Sequence, residues 1–437
     1  MRRVSLRLLP FLFALFICNY LDRTNVAIAA LQMNRDLHFS ATAYGLGAGI
    51  FFLGYAVFEV PSNLILVRVG ARRWIARIMI TWGIVASAMM FVRTPLHFYV
   101  LRFVLGVAEA GFFPGIIYYL SQWFPAPQRA RAMSRFMTAI PISATIGNPL
   151  SASLLQLDGR SGLAGWQWLF LIEGIPSVLL GVAVLGFLTD RHEDARWLSG
   201  IQRDWLAARL RRDGEESPAA HGLPPLRALA HPMVWLISLL YFLVVMTGYC
   251  YTFWAPIMIR DALNASNTAT ALITGLIAFV AAAVMVVVGG SSDRTNERYV
   301  HAAACGGLIA LGCVGAALLP HPLGRVAGLA LVPIGVWSFL APFWCLPTML
   351  LRGSSAAAGI ALINSLGNLG GFVGPYVVGL LKDATGGTTG SFLALAAIAL
   401  GAAALCLVLR RRASTAFPAG TAGRAMLDRA PVLGGKM

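Results

Sequence analysis

The sequence predicts an all-α polytopic membrane protein with twelve transmembrane helices in two pseudo-symmetric six-helix bundles. Three observations lead to this prediction. Of the 437 residues, 58% are hydrophobic and only 12% are charged, whereas a soluble domain carries about 25% charged residues. Apolar stretches long enough to cross a bilayer recur along the chain, and one long polar segment divides them into six and six. The alternating pattern of a membrane β-barrel does not occur in the sequence.

The twelve apolar stretches define the predicted domains. The spans are expected at residues 8–33, 44–67, 75–93, 97–123, 134–157, 166–190, 233–259, 270–290, 300–319, 326–351, 355–381 and 388–409. They form an amino-terminal bundle over 1–190 and a carboxy-terminal bundle over 233–410. A cytoplasmic loop, 191–232, joins the bundles, and a cytoplasmic tail, 411–437, follows them. In the loop, 195–212 is predicted to be a surface helix and 214–225 a linker; the tail has no core-forming pattern and is expected to be disordered.

The net charge of +16 would suggest nucleic acid, but its distribution indicates membrane topology instead. With the amino terminus in the cytoplasm, six of the 34 cationic residues lie outside, two lie within spans, and the remaining 26 face the cytoplasm. This asymmetry follows the positive-inside rule. The six outer residues are Arg35, Arg93, Arg160, Arg260, Arg325 and Lys382. We therefore expect a multi-pass protein of a bacterial inner membrane with both termini cytoplasmic and with no nucleic-acid partner.

The sequence favours neither a cleaved signal peptide nor a disulfide or metal site. The amino terminus has the basic and apolar regions of a signal peptide, but the apolar stretch continues to spanning length, which favours an uncleaved first helix. The six cysteines all fall in or beside apolar spans and form no C-x-x-C pair, so we expect no disulfide and no metal site.

Five ionisable residues lie well within the predicted spans. They are Asp22, Arg23, Glu59, Arg102 and Glu109. Such charges cost several kcal/mol and usually face a cavity or each other. The alternative is a structural ion pair between helices, and that alternative is strongest for Glu59. Arg102 and Glu109 are seven residues apart and share one helix face, whereas Asp22 and Arg23 point about 100° apart and can serve different neighbours.

These residue types suggest proton-coupled anion transport. Arginine keeps its charge and its planar fork suits a carboxylate, while a carboxylate in an apolar environment can take up a proton near neutral pH. Importing one negative charge into a negative cytoplasm costs about 2.3 kcal/mol per 100 mV. One co-transported proton cancels that cost for a monoanion, and a second proton adds driving force.

The chain resembles the anion:cation symporter family of the major facilitator superfamily, whose members transport tartrate, phthalate, galactonate and hexuronates. The resemblance covers nearly all of the chain from Asn19 to about Leu409. The motifs that carry it are YLDRTN, FLGYAVFEVPSNL, RVGARRWIARIMITWG, LRFVLGVAEAGFFPG, WFPAPQRARA, GLAGWQWLFLIEGIPS and INSLGNLGGFVGPYVVGLLKDATG. It implies the major facilitator fold, transport by alternating access, no cofactor other than protons as the coupling ion, and a monomer whose partners are its substrate and the lipid bilayer.

The resemblance also implies roles for single residues. It implies that Asp22 and Glu109 couple protons. Substrate binding is implied for Arg23, Arg102, Tyr20, Tyr55, Asn364 and Trp344, with a further gating role for Arg102. Gating charges on the cytoplasmic side are implied at Arg68, Arg72, Asp293 and Arg294.

The sequence departs from the family pattern in two places. Val67 takes the place of the aspartate in the loop after the second span, whereas Asp293 and Arg294 keep that pair in the second half. Pro141 stands where galactonate-type members carry a polar glutamine, which disfavours sugar acids.

The expected substrate is a carboxylate of one or two charges and roughly six to fifteen heavy atoms, the size a midplane cavity of a few hundred Å³ can enclose. Tyrosines and a tryptophan on the seventh span (Tyr241, Tyr249, Tyr251 and Trp254) either belong to a lipid-facing aromatic belt or flank a flat substrate. With Pro141, they favour tartrate- or phthalate-like acids.

Other function classes receive less support. A membrane enzyme would need a catalytic motif such as G-x-S-x-G or H-E-x-x-H, and neither is present in the sequence; we expect no enzymatic activity. A transporter-like sensor, or an exchanger without net proton coupling, remains the alternative to a symporter.

Overall fold

The computed structural model describes residues 1–125, 128, 132–133, 136–215, 232–350 and 353–416. All regular secondary structure in these residues is helical. The amino-terminal half contains α1 Arg2–Thr24, α2 Val26–Asp36, α3 Ala41–Val69, α4 Ala71–Ala88, α5 Pro95–Glu109, α6 Phe112–Trp123, α7 Ala139–Leu155 and α8 Gly165–Phe187. After the connecting helix α9 Gly200–Glu215, the carboxy-terminal half contains α10 Pro232–Leu263, α11 Asn267–Thr295, α12 Tyr299–Leu318, α13 Pro322–Leu350, α14 Gly353–Asn368, α15 Gly370–Thr385 and α16 Thr389–Ala416.

These helices make the twelve predicted passes. Among the described residues, ten helical stretches are long and apolar enough to cross a membrane, with α1–α2 and α5–α6 each counted as one stretch. The fifth pass contains α7, and the eleventh consists of α14 and α15. The predicted twelve-helix fold is confirmed, and the helices generally extend a few residues beyond the apolar spans because their ends are polar.

The passes alternate between two ends of the bundle. We call the end at which the described residues begin and end the terminal face, which comprises residues 1–7, 68–72, 187–206, 293–300 and 410–416. Contacts between side chains join the segments of this face. The Arg7 guanidinium lies over the rings of Phe187 and Trp197, and Arg410 pairs with Glu297 at 3.3 Å. The other end, at residues 36–41, 155–165, 261–267, 319–322 and 385–389, is called the opposite face.

The polar regions differ slightly from their prediction. The surface helix was expected from Ala195, but α9 begins at Gly200 because Ser199 and Gln202 cap its start with two reciprocal hydrogen bonds of 3.3 Å. The predicted linker lies outside the described residues from position 216 onward. α16 continues to Ala416, and the remainder of the predicted tail also lies outside them.

The two halves are joined closely toward the opposite face. α3 packs on α15 with almost no space between the backbones: a Cβ on Gly45 would lie 2.3 Å from the Pro375 carbonyl oxygen. Asp383 of α15 accepts hydrogen bonds from the backbone N–H groups of Ala41 and Thr42 at 3.1 and 2.7 Å. A carboxylate from one half therefore caps the first turn of a helix of the other, where the helix dipole favours negative charge.

Several of the described passes are interrupted within the bundle, among them the first, the fourth and the eleventh. The helical hydrogen-bond pattern has small irregularities at Asn25, between α1 and α2, and at Leu369, between α14 and α15. The fourth pass turns sharply, because Ala110 is extended and Gly111 is left-handed with φ 87°. Interrupted helices are where transporters of this size place polar sites, since the freed backbone groups are satisfied inside the protein.

Candidate functional site

A buried ion pair between α1 and α5 forms the centre of the candidate site. The Arg23 Nε donates to Glu109 Oε1 at 3.0 Å, and its Nη2 pairs with the same oxygen. The Glu109 side chain is fully buried and that of Arg23 is 15% exposed. The other oxygen, Glu109 Oε2, is buried without a hydrogen-bond partner among the described residues. Arg23 therefore retains N–H donors that can bind a further carboxylate, and Glu109 retains an oxygen that can accept a hydrogen bond.

The sharp turn of the fourth pass places Glu109. Glu109 is the last residue of α5, and Ser62 of α3 donates its hydroxyl to the Ala110 carbonyl at 2.6 Å. A Cβ on Gly111 would lie 2.4 Å from the Ser62 oxygen. Only glycine combines the left-handed backbone with this close approach, so the turn, and with it the direction of the carboxylate, is fixed.

Arg23 lies beside aromatic rings of α3. Its guanidinium carbon is 5.2 Å from the ring centre of Tyr55 and 5.5 Å from that of Phe51. Tyr249 of the carboxy-terminal half is an electrostatic neighbour. Cation–π contacts stabilise an arginine by about 0.5–2 kcal/mol without using its donors. Arg23 thus stands at the boundary between the halves with donors for an anion.

Asp22 faces away from Arg23, as predicted from the helical geometry. Its Oδ2 accepts hydrogen bonds from the indole of Trp82 at 2.8 Å and the hydroxyl of Ser177 at 2.6 Å. Asp22 is 1% exposed and, in the described part of the chain, has no salt-bridge partner. Burial in an apolar bundle disfavours the charge of this carboxyl group, whereas its two neutral donors favour it, and the proton-coupling role of Asp22 stays a prediction.

A further buried carboxyl group, Glu173, was missed by the sequence analysis. It lies on α8 one turn before Ser177, is 5% exposed and accepts a 2.6 Å hydrogen bond from Ser151 of α7. The signal was available: Glu173 lies inside the span predicted at 166–190, within LFLIEGIP. The expectation that a charge within a span faces a cavity or another charge applies to Glu173 as it does to the other charged residues.

Arg102 has a different partner from Glu109 although they share α5. It is 1% exposed and donates to the α3 carbonyls of Gly47 at 3.3 Å and Ala48 at 3.1 Å. Its guanidinium carbon is 5.0 Å from the Phe51 ring centre. In this conformation Arg102 connects α5 to α3, and its role toward substrate stays a prediction.

Glu59 contacts the other half of the protein. Its Oε1 accepts from Asn364 Nδ2 at 3.1 Å and its Oε2 from Ser365 Oγ at 2.9 Å. Both donors are neutral, and within the described residues Glu59 forms no ion pair of the kind considered for it. Asn364, predicted to bind substrate, donates to this carboxylate in the structure, and its role toward substrate stays a prediction.

A small cavity lies between the halves beside these groups. Tyr20 and Thr24 of α1, Asn148 of α7, Tyr251 of α10 and Trp337 of α13 contribute to its lining. Its volume is about 40 Å³, enough for water but not for an organic acid.

Of the predicted cavity residues, Tyr20 lines this space and three others do not. The ring of Tyr55 lies next to the Arg23 guanidinium. Asn364 donates a hydrogen bond to Glu59. Trp344 packs edge-on against Tyr241, with 5.1 Å between ring centres. Of the four aromatic residues singled out on the seventh span, Tyr241 and Trp254 are buried, at 8% and 1% exposed, whereas Tyr249 and Tyr251 are partly buried. Pro141 is buried within α7.

The predicted gating residues lie at the terminal face. Arg68 and Arg294 are exposed, and Asp293 pairs with Arg298 at 2.6 Å. At the position where Val67 replaces the family aspartate, another carboxylate approaches: Asp190, which follows α8, accepts from the Arg72 backbone N–H at 2.8 Å. The loop after α3 therefore keeps an acidic contact that the local sequence does not reveal.

Comparison with known proteins places this geometry among transporters. The sequence matches the profile of the Major Facilitator Superfamily over residues 12–375. A protein of Agrobacterium vitis, provisionally named a tartrate transporter, is 46% identical over 425 residues, covering 97% of this chain and 94% of the relative. A quinolone resistance transporter of Acinetobacter baumannii is 42% identical over 385 residues, covering 88% and 89%. The crystal structure of a bacterial homolog of the human lysosomal transporter Spinster superposes with a TM-score of 0.77 at 18% identity, covering 94% of this chain and 98% of that one.

Proposed function

Because this chain belongs to the Major Facilitator Superfamily, and is therefore a membrane transporter and not an enzyme, we propose that it imports a small organic anion across a bacterial inner membrane together with protons. The observation that carries the proposal is the Arg23–Glu109 pair. A cation that cannot lose its charge stands at the boundary between the halves, and its partner is a carboxylate that can be replaced and protonated.

The coupling follows from competition for Arg23. A substrate carboxylate that enters the opened cavity forms a bidentate pair with the guanidinium and displaces Glu109. Glu109 is then a fully buried carboxylate without its cation, and binding a proton removes the cost of that buried charge. When the substrate leaves, Glu109 releases the proton and pairs again with Arg23. Substrate and proton thus bind together, and Asp22 offers a site for a second proton.

The first test concerns the substrate. We expect tartrate- or phthalate-like carboxylates to raise the melting temperature of the purified protein, and their neutral amides to raise it far less. An amide lacks the charge needed to displace Glu109 from Arg23, and an amide that did displace it would leave the buried arginine without an anion, at a cost of several kcal/mol. Thermal unfolding in detergent, with each acid compared with its own amide, measures the difference. Equal stabilisation by acids and amides would reassign Arg23 to a structural pair with Glu109.

Export is the second candidate direction, because one 42% identical relative is named a quinolone resistance transporter. Proteoliposomes with an imposed pH gradient separate the two directions. Import by symport requires an acidic exterior to drive accumulation inside right-side-out vesicles. Proton-driven loss of preloaded acid from the same vesicles would favour export.

The orientation of the chain is a separate prediction. We expect both termini in the cytoplasm because 26 cationic residues lie on that side and six on the other. Alkaline phosphatase, which is active only in the periplasm, should therefore be inactive when fused after Arg412 and active when inserted after Arg160. The reverse pattern of activities would invert the topology.

A further inference from the structure

The hydrogen bonds of Glu59 join the two halves nearer to the terminal face than do the Asp383 and Gly45 contacts, which lie toward the opposite face. Glu59 lies ten residues from the terminal-face end of α3, about 15 Å along the helix, and eighteen residues, about 27 Å, from its other end. The Asp383 cap and the Gly45–Pro375 contact lie near that other end. Opening the protein toward the terminal face therefore requires the hydrogen bonds of Glu59 to break.

Among the described residues, the charged group recorded near Glu59 is Arg23 of α1. Tyr55, on the preceding turn of α3, and Tyr241 of α10 are neutral electrostatic neighbours of Glu59. Arg23 is occupied by Glu109 of α5. From α14, the neutral donors Asn364 and Ser365 contact the carboxylate.

The protonation state of Glu59 sets the strength of this contact. An ionised carboxylate accepts from Asn364 and Ser365 with both oxygens, and hydrogen bonds to a charged group are about twice as strong as neutral ones. A protonated carboxyl loses the charge, and one of its oxygens carries a hydrogen that needs an acceptor. Glu59 is 5% exposed, so the carboxyl group is largely shielded from water while its contact with α14 is formed.

We propose that Glu59 is a proton-sensitive latch: ionised, it holds α14 against α3 and closes the terminal side of the cavity, and protonated, it lets the halves part. This inference deepens the proposed function, on which its place in the transport cycle rests. With the terminal face in the cytoplasm, Glu59 loses its proton there after the substrate has left. The re-formed latch then favours the return of the empty transporter, which makes Glu59 a positioning residue acting through Asn364 and Ser365.

The test measures opening without any substrate. Hydrogen–deuterium exchange of the protein in lipid nanodiscs is compared at about pH 6 and about pH 8, corrected for the intrinsic pH dependence of amide exchange. In the wild type we expect peptides from α14 and from the last ten residues of α3 to be several-fold less protected at the lower pH. Peptides from the α3–α15 contact near Gly45 serve as the internal reference and should not change.

The variants separate the latch from general destabilisation. Glu59→Gln removes the titration and should abolish the pH response of these peptides, whereas Glu193→Gln, at an exposed terminal-face carboxylate, should keep it. Ser365→Ala removes one donor but leaves the carboxylate, so a smaller pH response should remain. Replacing Asn364 and Ser365 together with alanine should expose the peptides at both pH values, which tests the latch even if Glu59→Gln does not fold.

A wild-type pH response in Glu59→Gln, or full protection in the double alanine variant, would overturn the latch. Its failure is distinguishable from failure of the proposed function. The acid and amide comparison depends on Arg23 and needs no latch, while the exchange measurement needs no substrate. Stabilisation by acids together with an unchanged pH response in Glu59→Gln would remove the latch and leave the anion transporter.

Discussion

Replacing Arg23 with glutamine is expected to abolish substrate-dependent stabilisation and uptake. Glutamine retains hydrogen-bonding capacity but neither the charge nor the planar fork that grips two carboxylate oxygens. Removing one member of a buried charge pair costs about 2–5 kcal/mol, which corresponds to roughly 30- to several-thousand-fold weaker binding. Glu109 would also lose its cation in the empty protein, and we expect it to be held protonated.

The matched control is Arg35→Gln. Arg35 lies on α2 toward the opposite face with a side chain that is 80% exposed, so the variant makes the same change of side chain outside the site. Uptake of a labelled acid into proteoliposomes and thermal stabilisation by that acid should both remain near wild type. Wild-type affinity in Arg23→Gln would show that the substrate's charge is held by another group.

Replacing Glu109 with glutamine is expected to separate binding from coupling. Glutamine has the size of glutamate but cannot carry the proton, and it leaves Arg23 without an anionic partner in the empty protein. The substrate therefore no longer displaces a carboxylate, and its affinity should be equal to or higher than that of the wild type. Exchange of labelled for unlabelled acid should survive, while proton-driven accumulation should fall to the level set by simple equilibration.

The two modes are measured on the same vesicles. Exchange is followed with equal pH on both sides, and accumulation with an acidic exterior. Glu193→Gln, which changes an exposed carboxylate with a side chain that is 65% exposed, should show both modes at wild-type rates. Uphill accumulation by Glu109→Gln would move the coupling proton to Asp22 or Glu173.

Most of the features that could be predicted from the sequence depend on local properties of the chain, namely hydropathy, charge and helical periodicity. The apolar spans fixed the number of passes because each must cross the same thickness of hydrocarbon. The charged residues in the spans indicated the candidate site, because burying a charge is costly unless the charge has a function or a partner. The different directions of Asp22 and Arg23 followed from 100° of rotation per residue, and the structure confirms them with Trp82 and Glu109 as their respective partners.

Pairing between distant residues could not be predicted in the same way. Arg102 shares a helix face with Glu109, but the sequence did not show that in the folded chain its guanidinium donates to α3 carbonyls. Glu59 was considered for a structural ion pair and instead accepts hydrogen bonds from two neutral donors on the other half, 305 and 306 positions away. The approach of Asp190 to Arg72 likewise joins the ends of two passes.

The sequence by itself determined the membrane class, the twelve passes and the residue types able to bind an anion and a proton, because hydropathy, helical periodicity and the cost of a buried charge are properties of local sequence. Only the tertiary structure decided that Glu109 neutralises Arg23, that Glu59 reaches the other half and that the cavity between the halves is closed to a substrate. Those features depend on how the passes pack. The direction of each buried side chain toward a distant partner is set by close backbone contacts, such as Gly45 on Pro375 and Gly111 beside Ser62, which no local pattern encodes.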